Sequence, residues 1–129
     1  MRSRSLAVPT VVAAAVVALA GCKTSTSPGG GGGLAGHVTV GNLFFQSAHN
    51  GSMNPAVDTV AIGDTVTWTW SESGTPHSVA STGTPSFTSQ SGTSSTNGFT
   101  YKVKFTAAGP YAYNCSVHPT TMTGRIVVR

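Results

Sequence analysis

The chain has 129 residues, of which 39% are hydrophobic and 8% charged, with seven Lys and Arg against three Asp and Glu. This length supports one domain, and three acidic residues leave little material for catalysis by paired carboxylates. The formal net charge of +4 is spread thinly along the chain, so it does not predict nucleic-acid binding.

The N-terminal segment has the features of a secretory signal followed by a tether. A basic start precedes an apolar run, residues 6–20, that is too short to span a membrane, so residues 1–21 are predicted to be a signal peptide. The run ends in Leu19-Ala-Gly-Cys22, which resembles the bacterial lipobox and implies a lipidated Cys22. A plain cleavage site with an incidental Cys is the alternative. Residues 22–36, rich in Gly and Ser, then predict a tether that anchors a domain at the cell envelope, on the periplasmic or extracellular side.

From residue 37 onward, short apolar runs broken by Gly, Asn and Pro predict one domain of β-strands, residues 37–129. The predicted strands are residues 37–45 with a possible bulge at Gly41, 57–62, 65–70, a strand that begins at 77–80, 98–105, 111–115 and 126–129. Seven or eight short strands without helical periodicity indicate an all-β protein, a Greek-key antiparallel β-sandwich. Its predicted heavy core residues are Trp68, Trp70, Phe99, Phe105 and Tyr113.

The loop after the strand at residues 111–115 presents a thiol, an imidazole and a thioether, from Cys115, His118 and Met122. These donors suit copper, and two His, one Cys and a weak axial Met form the electron-transfer type of copper site. His77, at a predicted loop-to-strand junction 38 residues before Cys115, is the candidate for the second histidine. If Cys22 is lipidated, Cys115 has no disulfide partner, and metal ligation would protect its thiol in an oxidising compartment.

Each of these residues also has a simpler interpretation. A lone Cys in a strand is usually a small buried hydrophobe, and Met122 by itself would be a core residue. His37 and His49 are interpreted as solvated surface residues, and Met53 lies in a polar loop without a partner motif. The prediction of a copper site therefore depends on the combined spacing of Cys, His and Met with the upstream Pro-His pair.

Residues 36–129 resemble a cupredoxin, one of the small blue copper proteins of the plastocyanin, amicyanin and pseudoazurin type. The resemblance is carried by residues 63–68, 76–79, 109–119 and 122–128. It implies one copper ion with His77, Cys115 and His118 as equatorial ligands, both histidines binding through Nδ1, and Met122 as the axial ligand.

The sequence departs from the pattern of these relatives at two places. Three residues separate His118 from Met122. This gives the loop a length intermediate between those common in close relatives, so Met122 is the least secure ligand. Ser78 stands where Asn is common, and its hydroxyl is expected to act as a supporting hydrogen-bond donor near the thiolate. Asn114, next to Cys115, is expected to support the ligands in the same way.

The resemblance implies a monomeric carrier of single electrons between redox partners that dock near His118, whose exposed edge would be the exit for the electron. Four protein ligands leave no open position for substrate, so an enzyme is not predicted. Two other hypotheses stay open: a copper-handling protein, and a metal-free β-sandwich module in which Cys115 would be dispensable. A multicopper oxidase fragment is disfavoured because the chain has no His-x-His pair.

Overall fold

The computed structural model describes residues 34–129. The predicted signal peptide, the lipidation at Cys22 and most of the predicted tether lie outside these residues. The described part contains eight strands in two four-stranded sheets, which confirms the all-β prediction. The strands are β1 His37–Gly41, β2 Phe44–Ser47, β3 Ala56–Val60, β4 Thr65–Trp70, β5 Ala80–Ser81, β6 Thr100–Lys104, β7 Gly109–Asn114 and β8 Thr123–Val128. Within residues 34–129 there is no helix with the length and apolar character needed to cross a membrane.

The two sheets form the predicted sandwich, with strand orders β2-β1-β4-β6 and β3-β8-β7-β5. Four of the six pairings are antiparallel, while β1 pairs in parallel with β4 and β3 in parallel with β8. A parallel pair needs a crossover connection, and here the intervening chain crosses to the other sheet before it returns. The alternation of side chains in each run did not distinguish these parallel pairs from antiparallel ones.

The first predicted strand is two strands. Residues 37–45 fold into the β1–β2 hairpin, whose turn consists of Asn42 and Leu43 between the paired residues Gly41 and Phe44. Leu43 has a φ of 63°, which a non-glycine residue adopts only occasionally. Because Leu43 stands where the usual two-residue hairpin turn has Gly, the sequence carries no Asn-Gly signal for this turn. Gly41 is not a bulge: a Cβ at this position would lie 2.1 Å from the Phe44 ring, which packs over it.

The core lies between the sheets and is built around Trp68 and Tyr113, both almost completely buried. Tyr113 meets Trp68 edge-on with ring centroids 5.3 Å apart, and Phe45 at 5.0 Å. Burial raises the pKa of Tyr113 far above its usual range. The prediction that Phe99 is a core residue is wrong, because it lies in the loop before β6 and is 37% exposed. Its ring packs edge-on against Trp70 with centroids 5.0 Å apart.

The connections between strands gather at two ends of the sandwich. At one end, here called the Cys115 pole, lie the end of β4, residues 77–79 and the loop from β7 to β8. At the other end, the Gly63 pole, lie the turn at residues 61–64, residues 105–108 and the end of β8. The Gly63 N–H donates to the Phe105 carbonyl at 2.7 Å, which ties two connections of this pole together.

Candidate metal centre

The loop of residues 115–122 is held mainly by its own backbone. The last pair of the β7–β8 ladder, Asn114 with Thr123, closes the base of the loop. Inside it, the Cys115 N–H donates to the Met122 carbonyl at 3.0 Å, and the Met122 N–H donates to the His118 carbonyl at 3.0 Å. The His118 N–H in turn donates to the Cys115 carbonyl at 3.2 Å. These bonds fix the backbone of the three residues with candidate donor side chains relative to one another.

His77 is held in a different way. Its predicted strand is in fact an isolated bridge to Ser94, and the adjoining strand β5 starts only at Ala80. The His77 N–H donates to the Ser94 carbonyl at 2.9 Å, and the Ser94 N–H donates to the His77 carbonyl at 2.8 Å. The Trp70 Nε1–H also donates to the Ser94 carbonyl, at 2.9 Å. Sequence reasoning did not identify Ser94, because a serine in a Ser/Thr/Gly-rich stretch carries no pairing signal.

The structure brings His77, Cys115 and His118 together at the Cys115 pole. The Cys115 Sγ lies 3.9 Å from His77 Nδ1 and 3.7 Å from His118 Nδ1. One donor atom from each of the three residues falls within 4.8 Å of the other two. The two Nδ1 atoms that the cupredoxin resemblance implies as ligands are therefore the ring nitrogens that face the sulfur.

These distances fit a single transition-metal ion. Bond lengths typical of zinc, about 2.3 Å to sulfur and about 2.0 Å to nitrogen, separate the two donors by about 3.5–3.7 Å at angles between tetrahedral and trigonal. The sulfur-to-nitrogen distance for His118, 3.7 Å, lies at the upper end of that range, and the 3.9 Å distance for His77 lies slightly beyond it. Small side-chain adjustments would let the three donors share one ion.

Three of the four candidate ligands are buried, and the fourth reaches the surface. Cys115 and Met122 are completely buried and His77 is 3% exposed, whereas His118 is half-buried. Burial, and secondarily the nearby His118, lower the pKa of His77, against a weaker opposing effect of Glu72. A neutral imidazole is the form that ligates a metal, so the environment favours the ligating form of His77.

Two serines connect the two ligand-bearing regions. The Ser78 N–H donates to the Cys115 Sγ at 3.4 Å, so the backbone of Ser78, rather than its hydroxyl, contacts the sulfur. The Ser78 Oγ accepts from the Ser116 N–H at 2.9 Å and lies 2.7 Å from the Ser116 Oγ. Ser116 was not identified from the sequence, where only its place beside Cys115 could have indicated a role.

The remaining residues considered from the sequence lie apart from this cluster. The Asn114 Nδ2 donates to the Pro119 carbonyl at 3.4 Å, which braces the outside of the loop. His49 is less solvated than expected: its side chain is 18% exposed, and its Nδ1 lies 3.4 Å from a carboxylate oxygen of the fully buried Asp58. His37 is exposed, and Met53 is 53% exposed.

The donor set favours a soft or borderline metal ion. One thiol and two imidazoles, with the buried thioether of Met122 in the same loop, match copper far better than calcium or magnesium, which take oxygen ligands. Within residues 34–129 this is the one group of three or more His, Cys, Asp or Glu side chains that could hold a metal ion together. The fold and the donor chemistry thus agree on a copper centre.

Comparison with known proteins gives the same result. The family described as copper binding proteins of the plastocyanin/azurin family matches residues 45–129. An amicyanin variant in its reduced state is 31% identical, with a TM-score of 0.56, over 74% of this chain and 82% of the other. Another amicyanin variant, in its Cu(I) form, is 29% identical with a TM-score of 0.56, over 75% and 84%.

A purple cupredoxin from Nitrosopumilus maritimus shares the fold at 24% identity and a TM-score of 0.55, over 72% of this chain and 98% of the other. No curated protein matches the chain at a significant level. The family binds one copper ion, and His77, Cys115 and His118, with Met122, form a potential site for it here. The chain therefore belongs to the plastocyanin/azurin family of copper-binding electron-transfer proteins.

Proposed function

We propose that this protein carries single electrons between redox partners at the cell envelope, with one copper ion held by His77, Cys115, His118 and Met122. The observation that carries the proposal is the buried cluster in which one sulfur faces two Nδ1 atoms at 3.7 and 3.9 Å. When bound there, copper would supply a one-electron couple, since two imidazoles, one thiolate and one thioether are the donor set of electron-transfer copper sites. The protein supplies the positions of the donors and a dry surrounding.

The residues around the cluster restrict its movement in either oxidation state. The loop backbone bonds fix Cys115, His118 and Met122, and the Ser94 bridge fixes His77. The Ser78 N–H donates a hydrogen bond to the Cys115 sulfur, and such a bond stabilises the thiolate form. A donor set that is held in this way needs little rearrangement on oxidation or reduction, which is the property required of a carrier.

The partner is proposed to dock on the Cys115 pole around His118. His118 is the half-buried member of the cluster, so a partner approaches the site most closely there. Val117 is 45% exposed beside it, and Leu43, 42% exposed, lies in the hairpin turn at the same pole. Exposed apolar side chains grouped on one face are typical of an interaction surface.

Val117→Asp tests this docking surface. The added charge should slow electron exchange with the partner and leave the copper spectrum unchanged, because the side chain points to solvent. Stopped-flow mixing with the isolated partner measures the exchange rate. An unchanged rate would place the docking surface elsewhere.

The cell-envelope location is proposed from the sequence, through a lipid on Cys22 that would hold the domain on the periplasmic or extracellular side. Growth with an alkyne palmitate analogue should label the wild-type chain and leave Cys22→Ser unlabelled. Equal labelling of the two would remove Cys22 as the anchor.

The electron-carrier proposal is tested by loading the protein with Cu(II) and recording visible absorption, EPR and voltammetry beside Cys115→Ser. An intense thiolate-to-copper band, narrow copper hyperfine splitting and a reversible couple are expected for the wild type. All three should be lost in Cys115→Ser. A weak, ordinary Cu(II) spectrum that does not depend on Cys115 would contradict the proposal and favour copper handling or a metal-free module.

A further inference from the structure

We infer that the Gly63 pole is the face that this protein turns toward the membrane surface, so that the Cys115 pole points away from the bilayer. The inference rests on the proposed lipidation of Cys22. It adds to the proposed function a membrane-contacting surface and the side from which the redox partner must approach. Three features support it: the place where the N-terminal segment joins the domain, the direction of the strands, and the surface of the Gly63 pole.

The first feature is the place where the N-terminal segment joins the domain. The Gly36 N–H donates to the buried Asp58 carboxylate at 3.0 Å, and the Gly36 carbonyl accepts from the Thr67 N–H at 2.7 Å. A Cβ at Gly36 would lie 3.3 Å from the Thr65 carbonyl, at the start of β4. The segment therefore joins the sandwich beside the Gly63 pole.

The second feature is the direction of the strands. From His37, β1 runs parallel to β4, and both end at the Cys115 pole near Val40 and Trp70. The six residues of β4 span about 20 Å at the usual rise of about 3.3 Å per residue. A Gly/Ser-rich chain as long as residues 23–33 has an average end-to-end distance of about 20 Å. An anchor at Cys22 therefore lets the Gly63 pole reach the lipid surface. With that pole on the lipid, the Cys115 pole lies about one strand length, about 20 Å, farther away.

The third feature is the surface of the Gly63 pole itself. Leu34 and Ile62 are 50% and 56% exposed, the latter in the turn that precedes β4. Exposed Lys104 pairs with Thr65 in the sheet, and exposed Arg129 donates its N–H to the Val60 carbonyl. Aliphatic side chains with basic neighbours are the chemistry of contact with a phospholipid surface.

One acidic group belongs to the same pole. Asp64 lies in the turn, where its carboxylate accepts the Ala61 N–H at 2.9 Å. The pole is therefore not strongly cationic, so the aliphatic side chains and the anchor should contribute more to membrane contact than charge. The partner that exchanges electrons at His118 would then approach from the aqueous side, as a soluble protein or one that projects well above the bilayer.

Lipid quenching of a fluorophore placed at either pole tests the orientation. The full, lipidated chain, loaded with Cu(I), is labelled through Ile62→Cys or, as the matched control, through Asn42→Cys in the exposed turn of the Cys115 pole. Cys115 is buried and Cys22 would be acylated, so the introduced thiol alone reacts. On phosphatidylcholine–phosphatidylglycerol vesicles with a spin-labelled headgroup, quenching at residue 62 should exceed quenching at residue 42 at least twofold. Equal quenching, or stronger quenching at residue 42, would overturn the inference.

Two controls separate the possible failures. Cys22→Ser should no longer float with the vesicles and should lose the quenching at residue 62. If the wild-type chain does not float either, the membrane orientation is overturned, whereas the copper spectrum of the same sample reports the electron-carrier proposal independently. If Ile62→Cys chains instead crosslink to each other on vesicles, a second copy covers the Gly63 pole and the inference is likewise overturned.

Discussion

The two regions that supply the candidate ligands are built in opposite ways. The loop of residues 115–122 connects β7 to β8, which pair along six residues of each strand. Hydrogen bonds within its own backbone hold the loop in place. His77 lies outside any strand and depends on Ser94, which is 17 residues further along the chain. Cys115, His118 and Met122 are thus positioned by bonds within eight residues, whereas His77 is positioned by a long irregular segment elsewhere in the chain.

That segment, residues 82–99, is tied to the domain by specific contacts. The Phe87 ring stacks on Trp68 with centroids 5.8 Å apart. The Gln90 N–H donates to the Val79 carbonyl at 2.9 Å, and the Gln90 side chain accepts the Val79 N–H at 3.2 Å. The sequence left the role of this Ser/Thr/Gly-rich stretch open. The structure shows that it supports the backbone at His77 and at Val79, on either side of Ser78.

The largest effect is expected from Met122→Ala in the 115–122 loop. Met122 is completely buried, so truncation should lower the free energy of unfolding of the copper-free protein by about 2–5 kcal/mol. Met122→Leu, which keeps the volume, should lower it by less than about 1.5 kcal/mol and still change the copper spectrum by removing the thioether. Urea titration of both variants measures the difference. Equal losses would mean that the packing of Met122 does not stabilise the loop.

A smaller effect on stability, with a larger effect on copper affinity, is expected from Ser94→Pro. Proline removes the N–H that donates to the His77 carbonyl, which should cost about 1–3 kcal/mol of unfolding free energy. His77 would then be held by one backbone bond in place of two, so copper should bind more weakly. Competition with a chromophoric chelator measures the affinity.

Ser94→Ala is the matched control, because it keeps both backbone bonds to His77 and removes only the hydroxyl that accepts the exposed Thr96 N–H at 3.3 Å. Its stability should stay within about 0.5 kcal/mol of the wild type. If Ser94→Pro bound copper as tightly as Ser94→Ala, the dependence of His77 on this segment would be disproved.

The smallest effect is expected at the connection between the two regions. Ser78→Ala removes the oxygen that accepts the Ser116 N–H and should lower the unfolding free energy by about 1 kcal/mol. Ser116→Ala keeps that bond and loses only the contact between the hydroxyls, so it should cost less. The same urea titration compares the two. A larger loss in Ser116→Ala would show that the hydroxyl pair is the main connection.

The sequence predicted the strand content well wherever side chains alternate. Val66, Trp68 and Trp70 alternate with threonines, and the observed β4 has the same bounds as the prediction. The sequence did not predict the features that depend on backbone geometry, namely the first turn and the parallel strand pairings. The turn at Asn42 and Leu43 has no usual turn residue at the position with positive φ, and the parallel pairings leave no trace in the alternation of one strand.

The types of donor atom follow from the sequence alone, because Cys115, His118 and Met122 lie within eight residues between two strands. How His77 comes to lie beside them depends on the folded chain. The position of His77 depends on its backbone hydrogen bonds to Ser94. The segment that carries His77 is joined to the Cys115 sulfur by the hydrogen bond from the Ser78 N–H. Contacts between backbone groups distant in sequence carry no residue-specific signal, because every non-proline residue offers the same N–H and C=O.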